Sequence, residues 1–328
     1  MRYLITGGSG FIGSNFIEEL VKGNGEILNV DIKAPNIASH MPFWRQQDIL
    51  DLPGLLAVFR EFQPTHVIHL AARTDTYGTS IDEYEVNTTG SKNLLDAIKK
   101  TASVQRALIT STQFVNQYNG KPRDDLDFAP HTIYGESKVI TEQLTRAAEL
   151  DCVWTIIRPT NIWGPWHLRY PHEFWRILGK GLYFHPGGER VMRSYGYVKN
   201  VVWQMMQMCN APAETVGGRV FYVGDEPIDL LDWVNGFSMR QIGREVIVVP
   251  GPLIKVLALL GDFLKHVGVQ FPITSSRFKS MTTSNDAPMD LTFETFGRPP
   301  YSLQAGVDET VAWLRKEHPS LVKIKVAS

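Results

Sequence analysis

Between a short run of strand formers, Arg2-Tyr3-Leu4-Ile5-Thr6, and an apolar stripe at helical spacing, Phe11, Ile12, Phe16, Ile17 and Leu20, the chain places Gly7, Gly8, Gly10 and Gly13. No other feature restricts the fold as much. A strand that turns into a helix through glycines brings bare backbone and the N–H groups of a helix N-terminus to one point, where a phosphate is held by hydrogen bonds and the helix dipole. The next strand-like run, Leu28-Asn29-Val30-Asp31, ends in a carboxylate about twenty residues further on, where a sheet of this kind meets a ribose.

The rest of the first half repeats the alternation. Strands are expected at 2–6, 26–31, 66–70, 105–111 and 153–158, and helical patterns near 11–22, 53–62, 83–100 and 136–149. This is the signature of an α/β, Rossmann-type doubly wound parallel sheet covered on both faces. After Arg158-Pro159 the texture changes: Pro and Gly become frequent, and Trp163, Trp166, Trp175, Trp203, Trp233 and Trp313 all lie beyond that point. The chain is therefore expected to divide into a dinucleotide-binding domain, residues 1–160, and a smaller mixed α/β C-terminal substrate lobe, residues 161–328. A strand at Val220 to Val223 is expected to return to the large sheet. The apolar segment Pro252 to Val267 carries Lys255, Asp262 and Lys265, is too short for a membrane span, and reads as a buried helix rather than one lying on a membrane surface.

Composition narrows the partners. The 33 lysines and arginines nearly balance the 34 aspartates and glutamates, so no bulk field gathers nucleic acid or an anionic membrane. Cys152 and Cys209 are the only cysteines and suggest neither a disulfide framework nor a metal site. His66, His69, His172 and His185 are not at metal-ligand spacings, and no metal is expected. Because Arg2–Thr6 enters a strand at once, a signal peptide has no room, and a cytoplasmic setting is expected.

The residues favour NAD over NADP, because Asp31 would repel a 2′-phosphate; Lys33 is the nearby cation that pulls the other way. Asp48-Ile49, after a short third run, is a candidate for the adenine edge. At the reacting end, Tyr134-Gly135-Glu136-Ser137-Lys138 puts a phenol and an ammonium on one helix face. A phenol with an ordinary pKa of about 10 is a poor base at neutral pH, but a neighbouring ammonium and an oxidised nicotinamide both favour its phenolate. Tyr134 would take a hydroxyl proton, Lys138 would ease its release and hold the nicotinamide ribose, and Thr112, at the end of the 105–111 strand, would hydrogen-bond the reacting oxygen.

These motifs, with His69-Leu70-Ala71-Ala72, Val86-Asn87, Arg158-Pro159-x-Asn161-x-x-Gly164-Pro165, Arg193-Ser-Tyr-Gly-Tyr197-Val198, Tyr222-Val-Gly224 and Phe296-Gly297-x-Pro299, resemble the extended short-chain dehydrogenases, specifically the NAD-dependent nucleotide-sugar epimerase/dehydratase family. The resemblance runs over nearly the whole chain. It implies that Gly7, Gly10, Phe11, Ile12, Gly13, Asp31, Asp48, Ile49, Leu70, Ala71, Ala72, Asn87, Tyr134 and Lys138 bind NAD. It also implies that Asn161 and Arg193 contact a nucleotide-sugar diphosphate, and that the protein is a homodimer formed through the helices near 83–100 and 136–149.

Family members that eliminate water carry Asp-Glu after the Ser-Thr step, and decarboxylating relatives keep a Glu. This chain has Ser111-Thr112-Gln113-Phe114, and neither Gln113 nor Phe114 transfers a proton at neutral pH. Reversible oxidation remains, with epimerisation at C4 of a nucleotide sugar as its economical form. A net NAD-dependent oxidoreductase, either a nucleotide-sugar 4-ketoreductase or a sterol-like alcohol dehydrogenase, is the alternative, and the apolar segment near 252–267 speaks for a greasy substrate. A dinucleotide-sensing regulator is the reading without catalysis. Val115-Asn116-Gln117, where the family often has Val-Tyr-Gly, is expected to alter one wall of the pocket, and the aromatic, basic stretch Trp163 to Trp175 either stacks on substrate or packs the lobe.

Overall fold

The computed structural model describes residues 1–167, 169–170, 174–266 and 273–321. Strands and helices alternate through the first half: β1 (Arg2–Thr6), α1 (Phe11–Leu20), β2 (Glu26–Asp31), β3 (Trp44–Gln46), α2 (Leu52–Phe62), β4 (His66–His69), α3 (Glu85–Lys99), β5 (Arg106–Thr110), α4 (Ile133–Ala147) and β6 (Val153–Pro159). Local chemistry sets the helix limits. Asp51 accepts the Gly54 N–H at 3.2 Å and caps α2, which ends at Gln63 in the left-handed region. Thr132 accepts the Gly135 N–H at 3.0 Å, so α4 begins at Ile133, three residues before the expected 136, and Tyr134 sits in its first turn.

The chain continues through β7 (Asn161–Trp163), α5 (Arg176–Gly179), β8 (Phe184–Gly187), β9 (Met192–Arg193), β10 (Tyr195–Tyr197), α6 (Val198–Asn210), α7 (Ala213–Val216) and β11 (Val220–Val223). It ends with β12 (Ile228–Asp229), α8 (Leu230–Ile242), β13 (Ile247–Pro250), α9 (Gly251–His266), α10 (Ser275–Thr282), α11 (Asp290–Phe296) and α12 (Leu303–Glu317). It divides into two compact units. One comprises Met1–Ile162, Gly196–Asp225 and Ala287–Pro300; the other comprises the described parts of 163–195, 226–286 and 301–328.

The first unit is the Rossmann-type α/β unit. Its seven-stranded sheet runs in the order β3-β2-β1-β4-β5-β6-β11, with every registered pair parallel. The order reverses between β1 and β4, and ligands of such sheets lie outside the carboxyl ends of the strands at that reversal. On one face Leu4, Val67, Ala107 and Ile109 of the strands meet Leu55, Val58 and Phe59 of α2 and Leu94, Leu95 and Ile98 of α3. Burying each such side chain is worth about 1.5–3 kcal/mol. On the other face α1 packs against α6, with Phe16, Ile17, Val201 and Met205 fully buried.

The second unit packs around aromatic side chains. Trp163 and Trp175 meet Phe237 at ring-centroid distances of 5.2 and 5.0 Å, and Tyr195 stacks on Trp233 at 4.2 Å. Trp163 and Trp175 are therefore core residues of this unit. His167 stacks on Tyr170 at 4.0 Å, and burial lowers its pKa to about 3; His172 lies outside the described residues. The expectation of a buried helix over Pro252 to Val267 is corrected. In α9 Ile254 and Ala258 are buried, but Leu253, Val256, Leu259, Leu260 and Phe263 are exposed, because β8, β13 and α10 pack against the inward side of the helix. Residue 267 lies outside the described residues. Among the described residues no helix is long and apolar enough to cross a membrane.

A fully buried ion pair fastens α4 to the sheet: Arg158 of β6 grips the Glu142 carboxylate through Nε and Nη2, both at 2.8 Å. Removing one partner strands the other without solvent, at a cost of about 3–5 kcal/mol. Arg158→Met should lower the unfolding free energy by about that amount in urea denaturation, and Glu142→Leu/Arg158→Met should recover most of it. A single variant no less stable than the parent would contradict the assignment.

Candidate active site

The cofactor end is built by β1, α1, β2 and the segment after β4. Gly7 adopts φ +73°, and a Cβ there would stand 2.5 Å from the Ala71 nitrogen. The glycine turn and the Leu70-Ala71-Ala72 segment are thus pressed together across the β1/β4 reversal, with the Leu70 N–H bonded to the Thr6 carbonyl at 2.9 Å. A Cβ at Gly13 would stand 2.6 Å from the Gly7 carbonyl oxygen, so α1 is seated directly on the turn. Gly10 opens α1 with no side-chain cap and no acidic residue in the first turn, the arrangement an anion needs at a helix N-terminus. Phe11 and Ile12 form that first turn.

Asp31 ends β2 with both carboxylate oxygens oriented. Oδ2 accepts the Ser9 N–H at 3.1 Å and Oδ1 accepts the Lys33 N–H at 3.0 Å. Burial raises its pKa, against the lowering by these hydrogen bonds. An uncapped helix start, a glycine turn that any side chain would fill and an acid beside it together fit an adenine dinucleotide. Asp48 is exposed and accepts the Leu50 N–H at 2.9 Å. Ile49 is buried in the core, and its carbonyl accepts from Asn93 at 3.0 Å.

Tyr134 and Lys138 lie one turn apart on α4, and both are buried. The phenol ring meets Tyr84 at 6.3 Å and the edge of Phe114 at 6.2 Å. Lys138 Nζ donates to the Thr110 carbonyl at the end of β5 at 2.9 Å, and burial lowers its pKa to about 8. Thr112 is buried and its hydroxyl accepts the Phe114 N–H at 3.3 Å. Ser111, beside it, donates to Glu142 at 2.6 Å. α4 and the end of β5 therefore bring Thr112, Tyr134 and Lys138 together.

Asn87 acts as a clamp behind this constellation. Its amide donates to the Arg73 carbonyl at 3.0 Å and to Ser137 Oγ at 2.8 Å, and its Oδ1 accepts the Arg73 N–H at 2.9 Å. The segment after β4 and α4 are held in one frame by this residue. His69 is equally occupied: Nδ1 bonds Thr6 Oγ1 at 2.8 Å and Nε2 bonds Ser91 Oγ at 3.0 Å, and burial lowers its pKa to about 3. Among the described residues no group of three or more His, Cys, Asp or Glu could hold a metal ion.

These features coincide with a family model. Residues 3–224 match the model of the NAD-dependent epimerase/dehydratase family. The chain belongs to that family. It is 24% identical, over 94% of both chains, to N-acetyl-α-D-glucosaminyl-diphospho-ditrans,octacis-undecaprenol 4-epimerase of Escherichia coli O157:H7. It is 26% identical to a 3β-hydroxysteroid dehydrogenase of Mycolicibacterium neoaurum, over 71% of this chain and 68% of that one. The fold matches that of Thermus thermophilus UDP-glucose 4-epimerase in complex with NAD, with a TM-score of 0.71 and 24% identity, over 97% of this chain and 100% of that one. The protein is an NAD-dependent enzyme of the epimerase/dehydratase type.

The residues after Thr112 pack against the start of α4. Phe114 packs edge-on against Tyr134 and against His131, with ring centroids 5.2 Å apart in the latter pair. Gln113 is 9% exposed, and its Nε2 has no hydrogen-bond partner among the described residues. Asn116 does not simply remodel a pocket wall: it donates to the Asp127 carbonyl at 2.9 Å and accepts the Tyr222 hydroxyl. Asn161 opens β7 in the first unit. Arg193 lies in β9 of the second, buried, with its guanidinium donating to the Ser280 carbonyl. Glu142 and His131 carry no motif signal.

Two outcomes follow from this geometry. Gly7→Ala forces a β-carbon into backbone at a positive φ and should weaken NAD binding by at least about ten-fold, as read by calorimetry; unchanged affinity would argue against the turn as the diphosphate cradle. Lys138 has a folded pKa of about 8 against an ordinary 10.5, so the unfolded chain binds more protons between those values and stability rises with pH across that window, by up to about 3 kcal/mol. Lys138→Met should flatten that rise in denaturation curves measured at the two ends of the window.

Proposed function

We propose that this enzyme epimerises a nucleotide sugar at C4 by transient oxidation to the keto sugar and return of hydride to the other face. One observation carries the reading: Tyr134 and Lys138 share a turn of α4 while Gln113 and Phe114 occupy the positions where elimination needs an acid and a base. When bound, NAD supplies the hydride acceptor and then the donor at the reacting carbon. The Tyr134 phenolate takes the proton of the C4 hydroxyl and later returns it, the Lys138 ammonium favours that phenolate, and the Thr112 hydroxyl hydrogen-bonds the reacting oxygen. Gln113 offers its unpartnered amide N–H to a sugar oxygen. Asn161 is assigned to the diphosphate. Asp31 takes the adenosine ribose, Asp48 the adenine edge, and Leu70, Ala71 and Ala72 line the cofactor, with the buried Ile49 and Asn87 supporting these segments from behind. A cytoplasmic homodimer remains part of this proposal.

A second carrier is favoured by the E. coli relative, whose match covers 94% of this chain and whose name gives a sugar held by a diphospho-lipid. Both carriers present the same sugar diphosphate to the same residues.

The test is incubation of the purified protein, without added cofactor, with UDP-, GDP- and dTDP-sugars and a polyprenyl diphospho-sugar, followed by NMR for isomers of unchanged mass. An epimer is expected, and Tyr134→Phe should slow its formation by about 10²–10⁴-fold. NADH absorbance rising only when NAD and an alcohol are supplied would replace the epimerase with a net oxidoreductase. Full function in Tyr134→Phe would point to dinucleotide sensing.

A further inference from the structure

The outward half of α9 takes no part in the proposed reaction. Leu253, Val256, Leu260 and Phe263 recur at spacings of three and four and share one helix face with Leu259. Their exposures are 54%, 62%, 49%, 65% and, for Leu259, 58%. The apolar surface continues beyond the helix. Ile247 and Val248 of β13, the strand that runs directly into α9, are exposed, as are Leu182 and Phe184 beside and on β8. Ile247 is registered opposite Phe184. These adjoining segments hold nine of the eighteen large apolar side chains that are exposed among the described residues, a concentration that monomeric proteins rarely leave uncovered.

Charge identifies the occupant. The chain as a whole has a net charge of −1, yet residues 251–282 carry Lys255, Lys265, Arg277 and Lys279 against the single acid Asp262. That acid is engaged locally, its Oδ1 accepting the Ser275 N–H at the start of α10 at 3.2 Å. Lys255, Arg277 and Lys279 are exposed. An apolar stripe on a segment with this excess of cations, Lys255 on α9 itself and Arg277 and Lys279 on the adjoining α10, complements the acyl chains and headgroups of an anionic bilayer. A second copy of the chain fits less well, because an isologous pairing sets each patch, with its cations, against itself. At 16 residues α9 is shorter than the roughly 20 needed to span a bilayer, so it lies along the surface.

We propose that this face of the second unit docks the enzyme on an anionic membrane surface, with Leu253, Val256, Leu259, Leu260 and Phe263 among the acyl chains and Lys255, Arg277 and Lys279 toward the headgroups. The docking is independent of which carrier bears the sugar and of the reaction itself. It is tested by sedimenting the full-length protein with phosphatidylcholine vesicles made with or without phosphatidylglycerol. The protein should pellet with the anionic vesicles, less so as salt is raised. Val256→Asp/Leu260→Asp should lower that partition by at least about ten-fold with circular dichroism and NAD affinity unchanged. Lys255→Glu/Lys279→Glu should remove the preference for anionic vesicles. A parent protein that stays in the supernatant with both vesicles overturns the proposal. So does a parent dimer that Val256→Asp/Leu260→Asp converts to monomer while neither protein binds vesicles, since a second copy would then cover the face.

Discussion

The Glu142–Arg158 pair is the point on which the reacting end of the first unit depends. One carboxylate takes two bonds from Arg158 and one from Ser111, while the same guanidinium reaches the Tyr222 hydroxyl at 3.1 Å and the Asp125 carbonyl at 2.7 Å. Four segments that are distant in sequence are thereby referred to one buried charge pair: the end of β5, α4, β6 and β11. Such a pair adds little net stability, since desolvation offsets most of the Coulomb attraction. Here it sets the height of α4, and with it the position of Lys138 one turn before Glu142. The buried ammonium then has the Thr110 carbonyl as its hydrogen-bond acceptor, and its depressed pKa follows from that dry surrounding.

What the residues announced in advance were features with a short sequence period or a fixed local purpose. The glycine turn, Asp31 closing β2, and Tyr134 four residues before Lys138 each express a local geometry, and the order of the parallel sheet follows from the alternation of strand and helix. The hydrophobic period alone starts α4 at 136, because it gives no weight to Thr132, whose hydroxyl caps the helix at Ile133. β3, at Trp44–Gln46, is too short to carry any period at all. The pairing of Glu142 with Arg158 and the bond from Tyr222 to Asn116 join residues far apart in the chain, and nothing in the spacing of charged or amide residues foretells them.

α9 exposes a different limit. Leucines surround most of the helix, so the pattern signals burial without saying which side the fold covers. Ile254 and Ala258 turn inward because β8, β13 and α10 lie there; the larger side chains of the stripe face outward. Trp163 and Trp175 make the complementary point. A run rich in rings could have formed a stacking surface, yet both indoles close the core of the second unit. Residue type set what these segments could bury, and tertiary packing decided which of them did.

The first unit is assembled from three separated stretches, and this affects how the chain acquires its structure during synthesis. Translation delivers residues at about 5–20 per second, so β6 emerges well before β11 and waits as an open sheet edge while the intervening stretch is made. An unpaired edge of that kind is a site for misassociation. Until Val220–Val223 pairs with it, and until α11 seats Thr292 against the Tyr222 carbonyl, the nascent sheet lacks its outer strand and the Tyr222 arm of its charge network. Its completion is a long-range event, and long-range closure is what makes the folding of a parallel sheet slow.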